Sequence, residues 1–296
     1  RRPTGLEETG FHTGPVMITN THSVGIVRDA VIEWLVKKGF EFDWSLPIVA
    51  ETWDGSLNDI NGFHVTRQHT FAALDSARGG PVAEGNVGGG TGMICNQFKG
   101  GIGTSSRRLS ADRGGYTVGV LVQCNYGSRA RLSIAGVPIG QEIPHLLPCY
   151  DSLPGVTVEG RRCAKADQGS IIIVIATDAP LLPHQLKRLA KRASLGVGRL
   201  GGLGGNTSGD IFVAFSTANP GAAKPDATVT LTMLPNERIT PLFESTVQAT
   251  EEAIVNAMVA AQTMTGADGL RVYALPHDRL RAALRKYNRL AEPAAR

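Results

Sequence analysis

The chain has 296 residues, 42% of them hydrophobic and 19% charged, with 36 glycines and a formal net charge of +4. That balance supports a buried core and excludes a disordered chain, and the mild, scattered positive charge excludes a nucleic-acid footprint. The longest apolar run, Ile171 to Ala176, has strand length, so no stretch reads as a membrane span.

Helix and strand patterns alternate along the chain. Ser23 to Lys38 has helical periodicity, with Ser23 in the N-cap place and Gly39 as a stop. Pro47 to Trp53 reads as a strand, and Val65 to Ala77 as a helix with Thr66 near its start. A glycine-dense region from Gly79 to Thr104 precedes a strand from Tyr116 to Cys124, which turns out at Asn125-Tyr126-Gly127. Ile171 to Thr177 is a β-branched run suited to a strand buried on both faces. Pro183 to Ala193 is a basic amphipathic helix, with Lys187, Arg188, Lys191 and Arg192 as its solvated face. Strands are expected at Ile211 to Ser216 and Ala227 to Met233, and helices near Thr250 to Thr263 and Asp278 to Leu290. This mixture, without repeat or linker, predicts a single α/β layered domain over 1–296.

Cys95, Cys124, Cys149 and Cys163 show neither C-x-x-C nor paired metal spacing. Cys124 reads as a small apolar residue in a strand, while the even count leaves a bridge open. The chain opens at Arg1-Arg2-Pro3-Thr4-Gly5 with no initiator Met and no signal-peptide pattern, so an N-terminal segment is expected to be missing. The compartment, cytoplasmic or periplasmic, stays open.

Gly196-Val197-Gly198-Arg199-Leu200-Gly201 matches G-x-G-x-x-G, but it follows a helix and leads into a strand, the wrong context for a dinucleotide. Gly88-Gly89-Gly90-Thr91-Gly92 lacks the Lys-Ser/Thr ending of a phosphate loop, and the seven histidines are dispersed. The segment from Leu200 to Ser216 is different. Its glycine-rich run ends at Asn206-Thr207-Ser208, and a strand pattern with Ile211, Val213 and Phe215 on one face starts at once. Cleavage of the Thr207–Ser208 bond would give Ser208 a free α-amine, with an ordinary pKa of about 7.7–8.0, within reach of its own hydroxyl. A nucleophile with its own base results. The upstream glycines permit a strained backbone, Gly209 keeps the approach clear, and Asp210 is suited to hold the loop through backbone N–H groups.

The stretch Asn206-Thr207-Ser208-Gly209-Asp210-Ile211-Phe212-Val213-Ala214-Phe215-Ser216-Thr217-Ala218-Asn219 resembles the self-processing segment of the DmpA/BapA family. That family comprises L-aminopeptidase/D-amino-acid esterase-amidases and β-aminopeptidases. Ile18 to Gly25, Phe98 to Arg107 and Ala176 to Leu182 resemble it too, in consistent order. The resemblance implies a four-layer αββα sandwich of the DmpA/ornithine acetyltransferase type. It also implies autocleavage into 1–207 and 208–296 and an acyl-enzyme on Ser208. The implied reaction releases small N-terminal residues from short peptides, amides or esters. Neither metal nor organic cofactor is expected, and nucleic acid and membrane are not expected partners. A homo-oligomer of processed two-chain units is.

Carried over by position, Ser208 matches the nucleophile. Thr250 and Glu252 resemble a hydroxyl-x-Glu element that assists it. Residues at i and i+2 do not share a helix face, so that pair can cooperate only with Thr250 at or before the N-cap. Lys99, Gly101, Gly103 and Asn125 are expected pocket elements, the glycine-loop N–H groups serving as oxyanion donors. Asn206 either orients the scissile carbonyl or is a plain loop residue. Thr207 departs from the Gly or Asn expected before the nucleophile, and its own hydroxyl is a one-position alternative. Two other functions stand beside this one: an acyltransferase of the ornithine acetyltransferase type, and an uncleaved binding or scaffold protein.

Overall fold

The computed structural model describes residues 4–150, 163, 169–223 and 228–291. In chain order these hold α1 (Thr4–Thr9), β1 (Val16–Asn20), α2 (Val24–Lys37), β2 (Ile48–Thr52) and α3 (Arg67–Asp75). Two short strands, β3 (Ile94–Cys95) and β4 (Phe98–Lys99), lead into β5 (Gly101–Arg108) and β6 (Thr117–Asn125). After α4 (Ile139–Glu142) and β7 (Cys149–Tyr150) come β8 (Ser170–Thr177), α5 (Pro183–Arg199) and β9 (Ile211–Ser216). The last part carries α6 (Thr240–Val259), β10 (Met264–Thr265), β11 (Leu270–Val272) and α7 (His277–Lys286).

Local chemistry sets these bounds. α2 follows Ser23 and stops before Gly39, whose φ of +79° suits a residue without a Cβ. The Thr66 N–H donates to His69 Nδ1 at 3.0 Å and closes the first turn of α3. α5 begins with Pro183 and continues past Ala193 to Arg199, so most of the G-x-G-x-x-G stretch is its last turn. α6 starts at Thr240 rather than near Thr250. Pro241 sits in its first turn, and Leu242, Thr246 and Ala249 already bury one face there.

The strand expected at Ala227 to Met233 is absent from 228–233, the described part of that stretch, and Val229, Leu231 and Met233 lie exposed. A period-two pattern becomes a strand where a neighbour completes its hydrogen bonds. Here the Thr232 N–H donates instead to the Asn219 side chain at 2.9 Å.

The main sheet has the order β5-β6-β8-β9. β6 runs antiparallel to both β5 and β8, whereas β9 is parallel to β8, with Ile211 opposite Ile172. Val118, Val120 and Val122 of β6 and Ile171, Ile173 and Ile175 of β8 form one apolar face, which packs on α5 and α6 through Leu189, Ala193, Ala253 and Ala257. The opposite face meets β1 and β2, a parallel pair. In that contact the buried Gln123 donates from Nε2 to Thr52 Oγ1 at 2.6 Å and to the Thr19 carbonyl at 3.2 Å. α2, with α3 beside it, covers the outer side of β1 and β2. Helix, sheet, sheet and helix therefore stack as a four-layer α/β sandwich.

Cys124 is not a lone apolar residue: it is bonded to Cys95, and Cys149 to Cys163. The partners stand 29 and 14 residues apart, so no local motif announces either bridge. Among the described residues, no helix is long and apolar enough to cross a membrane.

Candidate active site

The loop from α5 to β9 is shaped by its glycines. A Cβ on Gly201, whose φ is +91°, would come within 2.0 Å of the Arg131 carbonyl oxygen, and one on Gly202 within 2.6 Å of the Tyr126 ring. The chain then turns: the Ser208 N–H donates to the Gly205 carbonyl at 2.8 Å, with Asn206 and Thr207 exposed at the turn. Ser208 is half-buried, and its Oγ donates to Asp210 Oδ1 at 2.5 Å. The residues after it are held by the start of β8. Gly209 N–H donates to Ser170 Oγ at 2.9 Å, and Ile171 N–H donates to Asp210 Oδ1 at 3.2 Å. The Thr207–Ser208 bond thus joins a glycine loop to a segment anchored on a core strand.

Asn125 ends β6 opposite Ser170, close to this junction, but its amide is already engaged. Nδ2 donates to the Trp53 carbonyl at 2.7 Å, and Oδ1 accepts from Ile94 N–H at 2.8 Å. It ties β6 to the ends of β2 and β3. Next to it, burial raises the Tyr126 phenol well above its usual range, so this hydroxyl keeps its proton. The Arg129 guanidinium is buried against the Phe98 ring and donates from Nε to the Asn96 carbonyl at 3.1 Å. It braces the β3–β4 turn, where Asn96 and Gln97 both take positive φ. Ser170, Tyr126 and Arg129 were not legible as site residues. Ser170 meets Gly209 across 39 positions, with no local pattern linking them.

The F-K-G-G-I-G-T segment is closely packed. Lys99 is wholly buried, and Nζ donates to the carbonyls of Gly90, Met93 and Gly100 at 3.0, 2.9 and 2.8 Å. Its donors point inward to backbone, and burial pulls its pKa down to about 7. A Cβ on Gly101 would lie 2.1 Å from the Gly85 carbonyl oxygen, and one on Gly103 would lie 2.0 Å from that of Ala253 in α6. These glycines let backbones approach closely.

Thr250 and Glu252 stand on different faces of α6. Because α6 starts at Thr240, Thr250 lies mid-helix instead of at an N-cap. It is buried against Gly196 of α5. Glu252 points to the opposite edge of the main sheet, where it accepts from Ser105 Oγ at 2.9 Å and pairs with Arg107 at 2.5 Å. Ser105 and Arg107 are on β5, and Ser208 precedes β9, three strand spacings or roughly 14 Å across the sheet.

A cavity of about 710 Å³ opens beside β1, lined by Asn20, Asp54, Asn58, His69 and Thr70 among others, without Ser208. Asp54 is buried there and accepts from Asn58 Nδ2 at 2.7 Å and Asn20 Nδ2 at 3.1 Å. Among the described residues, no three His, Cys, Asp or Glu side chains converge as a metal site.

Residues 3–272 match a family model described as Peptidase family S58. The beta-peptidyl aminopeptidase BapA of Sphingosinicella microcystinivorans is 56% identical over 288 residues, covering 97% of this chain and 72% of that protein. The protein of the same name from Sphingosinicella xenopeptidilytica is 52% identical over 281 residues, covering 93% and 69%. A Burkholderia sp. beta-aminopeptidase superimposes with a TM-score of 0.84 at 48% identity, over 96% of this chain and 76% of that one. The L-aminopeptidase D-Ala-esterase/amidase of Ochrobactrum anthropi, described as a variant of the Ntn hydrolase fold, gives 0.85 at 47%, over 98% and 78%.

Proposed function

The chain belongs to peptidase family S58 and is a serine aminopeptidase of the N-terminal-nucleophile type, and from that we propose that Ser208 is its nucleophile, freed by cleavage after Thr207. The observation that carries this reading is the junction itself. A half-buried hydroxyl stands at the first residue of an anchored segment, directly after a glycine loop. Once cleaved, the α-amine of Ser208 takes the proton of its own Oγ as that oxygen attacks the substrate carbonyl. The amine then returns the proton to the leaving nitrogen, and water hydrolyses the acyl-enzyme.

The substrates are short peptides, amides or esters with a free amino end. The names of the Sphingosinicella and Burkholderia relatives favour β-amino residues at that end. Two disulfides favour maturation in an oxidising compartment, the periplasm rather than the cytoplasm. The processed enzyme is read as a homo-oligomer, as its family resemblance implies, and sedimentation of the cleaved protein checks this.

Intact-mass measurement after expression tests the core of the proposal. A fragment starting at Ser208 together with hydrolysis of a β-alanyl p-nitroanilide is the expected result. Ser208→Ala should yield uncleaved chain and no turnover. Continued cleavage between residues 207 and 208 in that variant would remove Ser208 from the role.

A further inference from the structure

The cavity of about 710 Å³ beside β1 has the walls of a strand slot. Met17, Ile18, Thr19 and Asn20 of β1 line it in unbroken succession. Side chains alternate between the two faces of a strand, so a cavity that touches consecutive residues runs along an edge. That edge is the free one, because β2 pairs on the other side of β1 and none of its residues lines the cavity. The same holds across the slot. Met264 and Thr265, the two residues of β10, both line it, whereas their partners on β11 do not. Among the described strands, β10 pairs only with β11, and β1 only with β2.

We infer that this slot takes a strand: an extended stretch of polypeptide, supplied from outside residues 1–296, that pairs with β1 and joins β2 and β1 to β10, β11 and β7. The two-stranded parallel sheet calls for it, since parallel strands are stable within larger sheets covered on both faces. The walls also state what the strand must carry. Val27 of α2 and Ala73 of α3 line the slot from the outer helix layer, so the side chains turned toward them are apolar. Thr70 is only 3% exposed and its Oγ1 has no hydrogen-bond partner, and Asn20 Oδ1 is likewise buried and unpartnered. Both residues line the slot, where a strand brings the backbone N–H groups that such oxygens need.

The source is S58 chain. The Sphingosinicella microcystinivorans relative matches 97% of this chain but 72% of its own length, and the Ochrobactrum anthropi structure matches 98% and 78%. The same framework therefore occurs with further polypeptide attached to it. Because α2, α3, β1 and β10 all wall the slot, its occupant is a part of the fold and not an exchanging ligand. The inference rests on membership of the family and is independent of the role of Ser208.

Each stretch of the S. microcystinivorans protein outside the matched 288 residues is made as a separate polypeptide and mixed with this protein. Hydrogen exchange and a thermal melt follow the mixture. One stretch should bind, raise the melting temperature and slow exchange across Val16–Asn20 and Met264–Thr265 by about tenfold or more. Ala73→Trp, which fills the slot from α3, should melt as a folded protein and lose that protection. Ala73→Phe replaces it if Ala73→Trp does not fold. The inference is overturned if no stretch binds, if binding leaves both strands unprotected, or if protection survives in the filled variant. Protection by a β-alanyl dipeptide alone also overturns it, and makes the slot a small-molecule pocket. Protection that grows with the concentration of this protein alone overturns it too, and makes the edge an interface between copies. None of these outcomes bears on Ser208, which Ser208→Ala tests separately.

Discussion

Lys99 spends all three donors of its ammonium on the carbonyls of Gly90, Met93 and Gly100. Removal from water costs the charged form, and the pKa falls from 10.5 to about 7. In the unfolded chain the same group titrates near 10.5, so between the two values the unfolded state binds more protons. Stability therefore rises with pH across that window, and the desolvation cost is fully present below it. Urea melts at pH 7 and pH 9.5 should show this slope in the parent protein and its loss in Lys99→Met. An unchanged slope in the variant would show that other groups carry the pH dependence. Ser208 and Asp210 show the opposite residue-scale logic: each is commonplace alone, and they meet in a 2.5 Å hydrogen bond.

At the scale of elements, the contact between α5 and α6 depends on a missing side chain. A Cβ on Gly196 would lie 2.7 Å from Thr250 Cβ and 2.9 Å from the Val247 carbonyl oxygen, whereas one on Gly198 would meet nothing within 4 Å. Gly196→Ala should cost about 1–3 kcal/mol by overpacking. Gly198→Ala, two residues on in the same helix, should gain about 0.5–1 kcal/mol by removing glycine's conformational entropy. Chemical denaturation of the pair measures both. Equal effects would mean that α5 does not pack on α6 as described. The same contact explains why Thr250 is buried far from an N-cap, since it fills the space that Gly196 leaves.

For the whole molecule, the Cys95–Cys124 bridge ties the β3–β4 hairpin to the end of β6, at the same end of the main sheet as Ser208. Replacing both cysteines with alanine should lower stability by about 2–4 kcal/mol, chiefly by freeing the unfolded chain. Denaturant melts of the double variant check this value. A loss below about 0.5 kcal/mol would show that the bridge does not constrain the chain. Layering supplies the rest of the framework: the valines and isoleucines of β6 and β8 are covered by α5 and α6, and the opposite face of the main sheet by β1 and β2.

Periodicity in the sequence was enough to locate α2, α3, α5, β6, β8 and β9, because each carries its apolar spacing and its stop signals within itself. The junction at Thr207–Ser208 was legible for the same reason, as glycine freedom, hydroxyl and strand follow one another along the chain. Elements that need a distant partner were not. The expected strand at Ala227 to Met233 has no neighbour along 228–233, and Cys124 found Cys95 across 29 residues. The pattern in the sequence placed the start of the helix near Thr250, and the earlier start of α6 puts Thr250 and Glu252 on different faces. Likewise, the sequence singles out Ser208, but it does not say which carboxylate its hydroxyl meets. That was decided by the parallel pairing of β9 with β8, which fixes Gly209 and Asp210 against Ser170 and Ile171. Local patterns are written in adjacent residues, whereas hydrogen bonds between strands form only when the sheet brings distant ones together.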